Sequence, residues 1–266
     1  MLICPICKNR LSRSTGAYIC PQNHNFDISR RGYVNLLCSQ SSKNHGDDKR
    51  MAIARRDFLN AGYYSRLRDS ICSVITHGPA LDICCGEGYY LEGITQKLAV
   101  CDPGSSACGI DISKSAIDAA CRRKYNVETH LAVANCTDIP VQDGCISFAV
   151  SVFAPVSEQE TKRILRQNGC LIRVVPGRDH LIELKRAVYE HAQLNPAFNN
   201  TLSGFELKSA HNLIYNMHLN SADDIKNLFV MTPYYYRTTQ KDQQKLRLVS
   251  QLDVTAHFYI FVYKAV

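Results

Sequence analysis

From Ala80 onward the chain alternates strand-like and helix-like runs, and the first junction between them is a glycine turn. Ala80–Cys84, Ala107–Asp111, Val127–Val133, Cys145–Val152 and Gly169–Val175 are apolar and short, as strands are. Between them Tyr89–Leu98, Ser113–Lys124 and Ser157–Arg166 read as helices. Ser113 is placed as an N-cap and Glu160 for a capping box. This order predicts an α/β fold, a parallel sheet with helices on both faces. Leu181–His191 and Ser221–Met231 read as further helices, the second opened by Asp223 and Asp224. Phe205–Leu219 reads as one extended strand or two. Thr255–Val262 reads as a last strand, antiparallel at one end of the sheet.

The junction itself is Leu81-Asp82-Ile83-Cys84-Cys85-Gly86-Glu87-Gly88. A glycine turn at the end of a strand lets the backbone approach a ligand closely. Glu87 carries negative charge into the turn, which opposes a pyrophosphate. A cationic sulfonium with an amino-acid tail suits it better, which points to S-adenosylmethionine. Asp111 ends the next strand, where a carboxylate accepts from both ribose hydroxyls. Asn135 and Asp138 follow the third strand, where an adenine would lie. Cys84 stands where such turns usually have glycine, and its side chain restricts φ and narrows the approach.

The N-terminus carries a second signature. Cys4 and Cys7 are two residues apart, and Cys20 and His24 follow a 12-residue spacer. Three thiolates and one imidazole complete a tetrahedron with no open position, the donor set of structural Zn2+. A module this small lacks a core of its own, so the metal supplies folding energy. Cys38 has no partner spacing and reads as packing. The chain divides into residues 1–36, a zinc-binding RNA-recognition module; 37–79, a linker with helices at Lys49–Ala61 and Tyr64–His77; and 80–266, the α/β domain. Ser39–Asp48 is polar and reads as a loop.

Charge separates these parts. Of the net +7, residues 1–68 hold 12 Lys/Arg against 4 Asp/Glu, and residues 69–266 hold 19 against 20. Clustered cations favour phosphate contacts through counterion release. Arg30, Arg31, Arg55 and Arg56 are the expected RNA contacts. Thirteen cysteines, an odd number without framework spacing, point to a reducing, cytoplasmic setting. No stretch of 18 apolar residues occurs, so no membrane partner is expected.

Taken together, several segments carry a likeness to one family. They are Cys4-Pro-Ile-Cys7, Tyr18 to Asp27, Gly32-Tyr-Val-Asn-Leu-Leu37, Ala54-Arg-Arg-Asp-Phe-Leu59, Ala61-Gly-Tyr-Tyr64, Leu81 to Tyr90, and Pro176-Gly-Arg-Asp-His-Leu181. The chain resembles the bacterial large-subunit (23S) ribosomal RNA guanine-N1 methyltransferases along nearly its whole length. The resemblance implies a Rossmann-like class I methyltransferase domain behind an N-terminal zinc domain. It implies transfer of a methyl group from S-adenosylmethionine to guanine N1 in an rRNA hairpin. By motif match, Tyr64, Cys85, Gly86 and His180 would contact the donor, beside Asp82, Gly88, Asp111 and Asn135 from the turn analysis. It also implies homodimers with a basic cleft for RNA. The sequence departs from the family at Cys84, and at Arg166-Gln-Asn-Gly169 where Lys-Pro-Gly-Gly is common.

The reaction needs a nucleophile held in line with a positive carbon, and no covalent intermediate. Guanine N1 is protonated at neutral pH, so a proton acceptor helps. Asp138 and Asp179 are the candidates. Phe153 follows the fourth strand and is placed to stack on an extruded guanine. Two rival readings are a small-molecule methyltransferase with a zinc appendage, and an RNA-binding or ribosome-associated protein with a degenerate donor site.

Overall fold

The computed structural model describes residues 1–38 and 49–266; the expected loop Ser39–Asp48 lies outside the described residues. The N-terminal residues form a small antiparallel sheet of β1 (Ser12–Ser14), β2 (Ala17–Ile19) and β3 (Asn25–Asp27). The next strand, β4 (Val34–Asn35), leaves this sheet and pairs in parallel with β7 (Glu128–Val133) of the larger one.

The five expected central strands form the parallel heart of that larger sheet. They are β5 (Ala80–Ile83), β6 (Ser106–Asp111), β7, β8 (Ile146–Val152) and β9 (Leu165–Pro176). Two long antiparallel strands follow, β10 (Phe205–Leu219) and β11 (Leu252–Ala265). The eight strands run in the order β10-β11-β9-β8-β5-β6-β7-β4. β11 is antiparallel as expected but does not end the sheet. β10 pairs along it from Phe205 to Leu219, with one irregularity between Leu207 and Ser209, and takes the edge itself.

Helices α1 (Lys49–Asn60), α2 (Ser65–Val74), α3 (Tyr89–Cys101), α4 (Lys114–Ala120), α5 (Glu158–Ile164), α6 (Ile182–Val188) and α7 (Ala222–Val230) cover the faces. Ser113, Ser157 and Ser221 cap α4, α5 and α7 through their hydroxyls. The capping box at α5 is half made. Ser157 accepts from the Glu160 backbone, but the Glu160 carboxylate turns to the Ile139 N–H (2.8 Å) and to Arg163.

Side-chain alternation along β5 sets up the two faces. Ala80 joins an apolar layer with Phe58, Leu67, Ile71, Leu91 and Phe258. Leu81 and Ile83 join the opposite layer with Leu2, Leu11, Tyr18, Ile164 and Tyr263. The zinc-type module is thus part of the second core layer. It is also tied to the sheet by Ile3 N–H to Pro140 O (3.0 Å), Leu36 N–H to Val133 O (2.9 Å) and Tyr18 Oη to His130 Nδ1 (3.0 Å). No helix among the described residues is long and apolar enough to cross a membrane.

Candidate active site

Three non-glycine residues with positive φ sit where the sheet meets its loops: Cys84 (57°), Phe153 (56°) and Leu181 (59°). They follow β5, β8 and β9, at the carboxyl ends of the parallel strands. Ligands bind there in open α/β sheets, and backbone strain concentrates at such sites.

The turn after β5 is stitched to β6. Cys85 N–H donates to Ile110 O (2.9 Å), and Gly86 N–H donates to Asp111 Oδ2 (2.9 Å). Asp111 Oδ1 accepts from Ser113 N–H (2.8 Å), so both carboxylate oxygens are oriented by backbone. The two turn glycines do different jobs. A Cβ on Gly86 would meet nothing within 4 Å, so that backbone opens onto free space. A Cβ on Gly88 would lie 2.4 Å from Tyr125 Oη, so that glycine allows close packing. The Cys85 thiol points inward: it is 7% exposed and lies 3.0 Å from where a Cβ on Gly109 would sit. What Cys85 offers a ligand is therefore backbone.

Beneath this turn lies an unsatisfied acid. Asp82 is buried, and its Oδ2 has no hydrogen-bond partner among the described residues. Burial first, and the nearby Asp111 second, push its pKa up to about 8, against the Leu91 N–H. The Tyr90 hydroxyl is likewise buried and unpartnered. A buried acceptor without a donor costs about 1–3 kcal/mol, so such groups are usually explained by a ligand or water. Tyr90 was not among the residues expected from sequence; its only signal there was an aromatic pair directly after Gly88.

Glu87 behaves differently from expectation. Its carboxylate accepts from Arg123 Nη2 (2.6 Å), and Arg123 also holds Glu92 (2.8 Å) and the Glu87 carbonyl (2.9 Å). The charge that seemed aimed at the ligand is thus paired below the turn. Asp82 and Asp111 are the acids left facing the cradle.

On the other side of the cradle stands an aromatic group. Tyr64 is fully buried, and its hydroxyl lies 3.4 Å from His180 Nε2. His180 Nδ1 accepts from the His257 N–H (3.3 Å), so Nε2 carries the proton and donates to Tyr64. Burial pushes the His180 pKa down to about 3, which keeps the ring neutral. Phe258, from β11, packs on both rings at 5.0 and 4.7 Å. Phe153 closes the group, 6.4 Å from His180 with near-parallel planes, yet is 45% exposed. Phe258 was missed because β11 lies more than 70 residues beyond the loop it supports.

Gly177 shapes the support of this group. A Cβ there would fall 2.1 Å from the His257 ring. Gly177→Ala is expected to lower stability by about 1–3 kcal/mol through overpacking. Thermal melts would check this, and an unchanged midpoint would mean the loop simply yields.

The two candidate proton acceptors are placed differently. Asp138 is exposed and grips Lys8 of the N-terminal module (2.7 and 2.9 Å). Asp179 is half-exposed and adjoins His180 in the chain, with an oxygen 3.4 Å from His257 Nδ1. Asn135 uses its Oδ1 to hold the following turn through Thr137 N–H (3.0 Å). Among the arginines, Arg31 pairs with Asp118 (3.1 Å) and Arg56 with Asp57 (3.0 Å), while Arg30 is exposed. Burial pushes the Glu87 carboxyl up, and the charges of Arg123 first, then Arg56 and Arg55, oppose that rise.

At the N-terminus Cys4, Cys7, Cys20 and His24 converge, with one ligand atom from each within 4.8 Å of the others. Cys20 Sγ lies 3.3 Å from His24 Nδ1 and 3.5 Å from Cys7 Sγ, and Cys4 Sγ lies 3.5 Å from His24 Nδ1. A tetrahedral zinc–thiolate site has edges of about 3.8 Å, so the cage fits that ion. Cys38 is exposed and stands outside the cluster.

Comparison with known proteins agrees with both halves. A family model described as RlmA, N-terminal, a zinc ribbon, matches residues 2–44, and one described as a methyltransferase domain matches residues 80–172. The 23S rRNA (guanine(748)-N(1))-methyltransferase of Streptomyces fradiae is 33% identical over 195 residues, covering 70% of this chain and 67% of that protein. A Bacillus subtilis (strain 168) protein, provisionally named a 23S rRNA (guanine-N(1)-)-methyltransferase, is 29% identical over 98% of this chain and 96% of its own. A solved structure from Anaeromyxobacter dehalogenans, provisionally called a type II methyltransferase, is 16% identical with a TM-score of 0.50 over 74% of this chain and 94% of its own.

Proposed function

The chain belongs to the 23S rRNA (guanine-N1)-methyltransferase family, and from that premise we infer that it methylates N1 of a guanine in large-subunit rRNA with S-adenosylmethionine as donor. The observation that carries the reading is the unpartnered buried oxygen of Asp82 beside the open Gly86 backbone. That pair suits a ligand with a cationic end and a long body. When bound, S-adenosylmethionine supplies an electrophilic methyl carbon on a sulfonium. Asp82 would accept from the ammonium, with Tyr90 beside it. Gly86 and the Cys85 backbone would line the body of the site, with Gly88 packed against Tyr125 so that the turn can close around it. Asp111 would take the ribose hydroxyls, and Asn135 would border the adenine. Tyr64 and His180 would wall the reacting end.

The remaining chemistry falls to orientation. Held near 3 Å and in line, the reactants can gain about 7–11 kcal/mol from proximity alone. His180 is neutral with its proton committed to Tyr64, so it fixes a wall and takes no proton. Asp138 is engaged by Lys8, so Asp179 is the better-placed acceptor for the guanine N1 proton. Phe153 offers an exposed ring for the flipped base, with base–aromatic stacking worth about 1–3 kcal/mol. Phe153→Ala is therefore expected to cut methylation about 10–100-fold, on the same scale, with donor affinity nearly unchanged. Single-turnover rates alongside calorimetry would separate the two, and a parallel loss of donor affinity would remove Phe153 from the acceptor side.

We assign the hairpin grip to residues 1–36 together with Arg30, Arg31, Arg55 and Arg56, in a cytoplasmic enzyme that forms a homodimer. Cys4, Cys7, Cys20 and His24 would hold Zn2+ in a closed, structural role. The deciding experiment is reverse transcription of 23S rRNA incubated with the protein and donor. Methylation at N1 blocks the Watson–Crick edge, so a new stop at one guanine is expected. Donor binding without any stop would favour a small-molecule substrate. No donor binding at all would favour an RNA-binding protein with a degenerate site.

A further inference from the structure

Three hydrogen bonds tie residues 177–180 to one residue of β11, His257, each through a different atom of it. Its carbonyl accepts from Gly177 N–H (2.7 Å). Its backbone N–H donates to His180 Nδ1 (3.3 Å). Its ring Nδ1 accepts from Asp179 N–H (3.2 Å). The first two use the backbone and survive any side chain at this position. The third needs an acceptor where the ring stands. The residue is 3% exposed, and a buried polar ring is costly unless it is hydrogen-bonded. Nε2 has no partner among the described residues, so the Asp179 N–H is what the ring is bonded to.

The tautomer follows from that bond. Nδ1 accepts, so it bears no hydrogen, and the ring's hydrogen sits on Nε2. The ring then has nothing to donate to the Asp179 carboxylate, whose Oδ2 lies 3.4 Å from the same nitrogen. The Asp179 main chain is held while its half-exposed carboxylate is left to accept from elsewhere. We propose that the His257 ring is a positioning residue for methyl transfer: through Nδ1 it fixes the Asp179 main chain and so aims the carboxylate without tying it up.

The aim matters because Asp179 is assigned the guanine N1 proton above, so this consequence rests on that reading; the ring's grip on the loop does not. In that step the N1–H bond breaks, an O–H bond forms on Asp179, and the electron pair left on N1 attacks the methyl carbon. A displacement of about 1 Å can cost such a step about 100-fold.

The test compares His257→Asn with His257→Leu in the full-length, zinc-loaded protein. Asparagine keeps an acceptor oxygen near the Nδ1 position but is smaller than the ring; leucine fills the space and accepts nothing. Packing alone ranks leucine above asparagine, in melting temperature and in activity alike. Positioning reverses the order for activity. His257→Leu should lower the single-turnover methylation rate about tenfold or more, with donor affinity within about threefold, and His257→Asn should recover most of that loss. In an Asp179→Asn background the leucine substitution should cost less than about twofold further, because both changes remove one function. Losses that multiply, or activity that follows melting temperature, would overturn the proposal. Nitrogen-15 spectra of the imidazoles read the ring without any substrate, and so decide the grip even if rRNA is not methylated. A hydrogen on Nε2 and none on Nδ1 is expected; the opposite tautomer would overturn the grip. Normal methylation by Asp179→Asn, beside a tenfold loss in His257→Leu, would remove Asp179 as the acceptor and overturn the aiming, with the grip on the loop left standing.

Discussion

Cys20→Ser is expected to release zinc and to cut rRNA methylation about 100-fold or more, which corresponds to about 3 kcal/mol of transition-state stabilisation. The reason lies in how little regular structure the metal-binding segment has of its own. Strands β1, β2 and β3 are three residues each, and β1 is exposed along its length. Structural zinc supplies about 10–16 kcal/mol in small metallo-domains at neutral pH. Cys20 touches both Cys7 and His24, so its loss breaks two edges of the cage at once. The larger sheet should survive, because β4 adds only a two-residue pairing at its edge. Metal analysis should give one zinc per wild-type chain and none per variant. Donor affinity should stay within about threefold, or under 1 kcal/mol. Equal loss of donor binding would mean that the N-terminal module props up the whole fold through the Lys8–Asp138 and Tyr18–His130 contacts.

Much of the fold was legible because its signals are local. Strand β5, the Gly86-Glu87-Gly88 turn and α3 follow one another within about 20 residues, and each carries its own pattern. The serine caps of α4, α5 and α7 were readable for the same reason. The zinc cage was legible from spacing alone. What sequence could not convey is partnership at a distance. Glu87 read as a charge offered to a ligand, but Arg123, 36 residues on, takes it. Asp138 read as a proton acceptor, but Lys8, 130 residues back, holds it. β11 read as an edge strand because nothing in its sequence announces that β10 will cover it. Cys84 was visible as a departure from glycine, and the structure adds that the glycine conformation was kept.

Asp82→Asn is expected to stabilise the free protein while weakening donor binding, and pH is the lever that separates these effects. The Asp82 carboxyl is pushed from 3.8 to about 8 in the folded chain, by burial first and by Asp111 second. A raised carboxyl pKa means that the folded state holds its proton longer than the unfolded state. This group's contribution is therefore most favourable below about pH 4, declines as pH rises, and levels off above about pH 8. Asparagine keeps the shape and removes the titration, so the pH dependence of stability should flatten over that window. At pH 8 the variant should be more stable by a few kcal/mol, on the scale of about 1.4 kcal/mol per pKa unit. The donor's ammonium reverses the balance. A cation beside Asp82 favours the carboxylate, so binding should expel a proton below pH 8. Wild-type affinity should then rise between pH 6 and 8, by up to about tenfold per unit where one proton is released. The asparagine variant should bind at least about tenfold more weakly at pH 8, the scale of a lost charge-assisted hydrogen bond, with little pH dependence. Calorimetry in buffers of different ionisation enthalpy counts the released proton directly. No released proton, with identical affinity in the variant, would show that the unpartnered oxygen of Asp82 does not meet the donor.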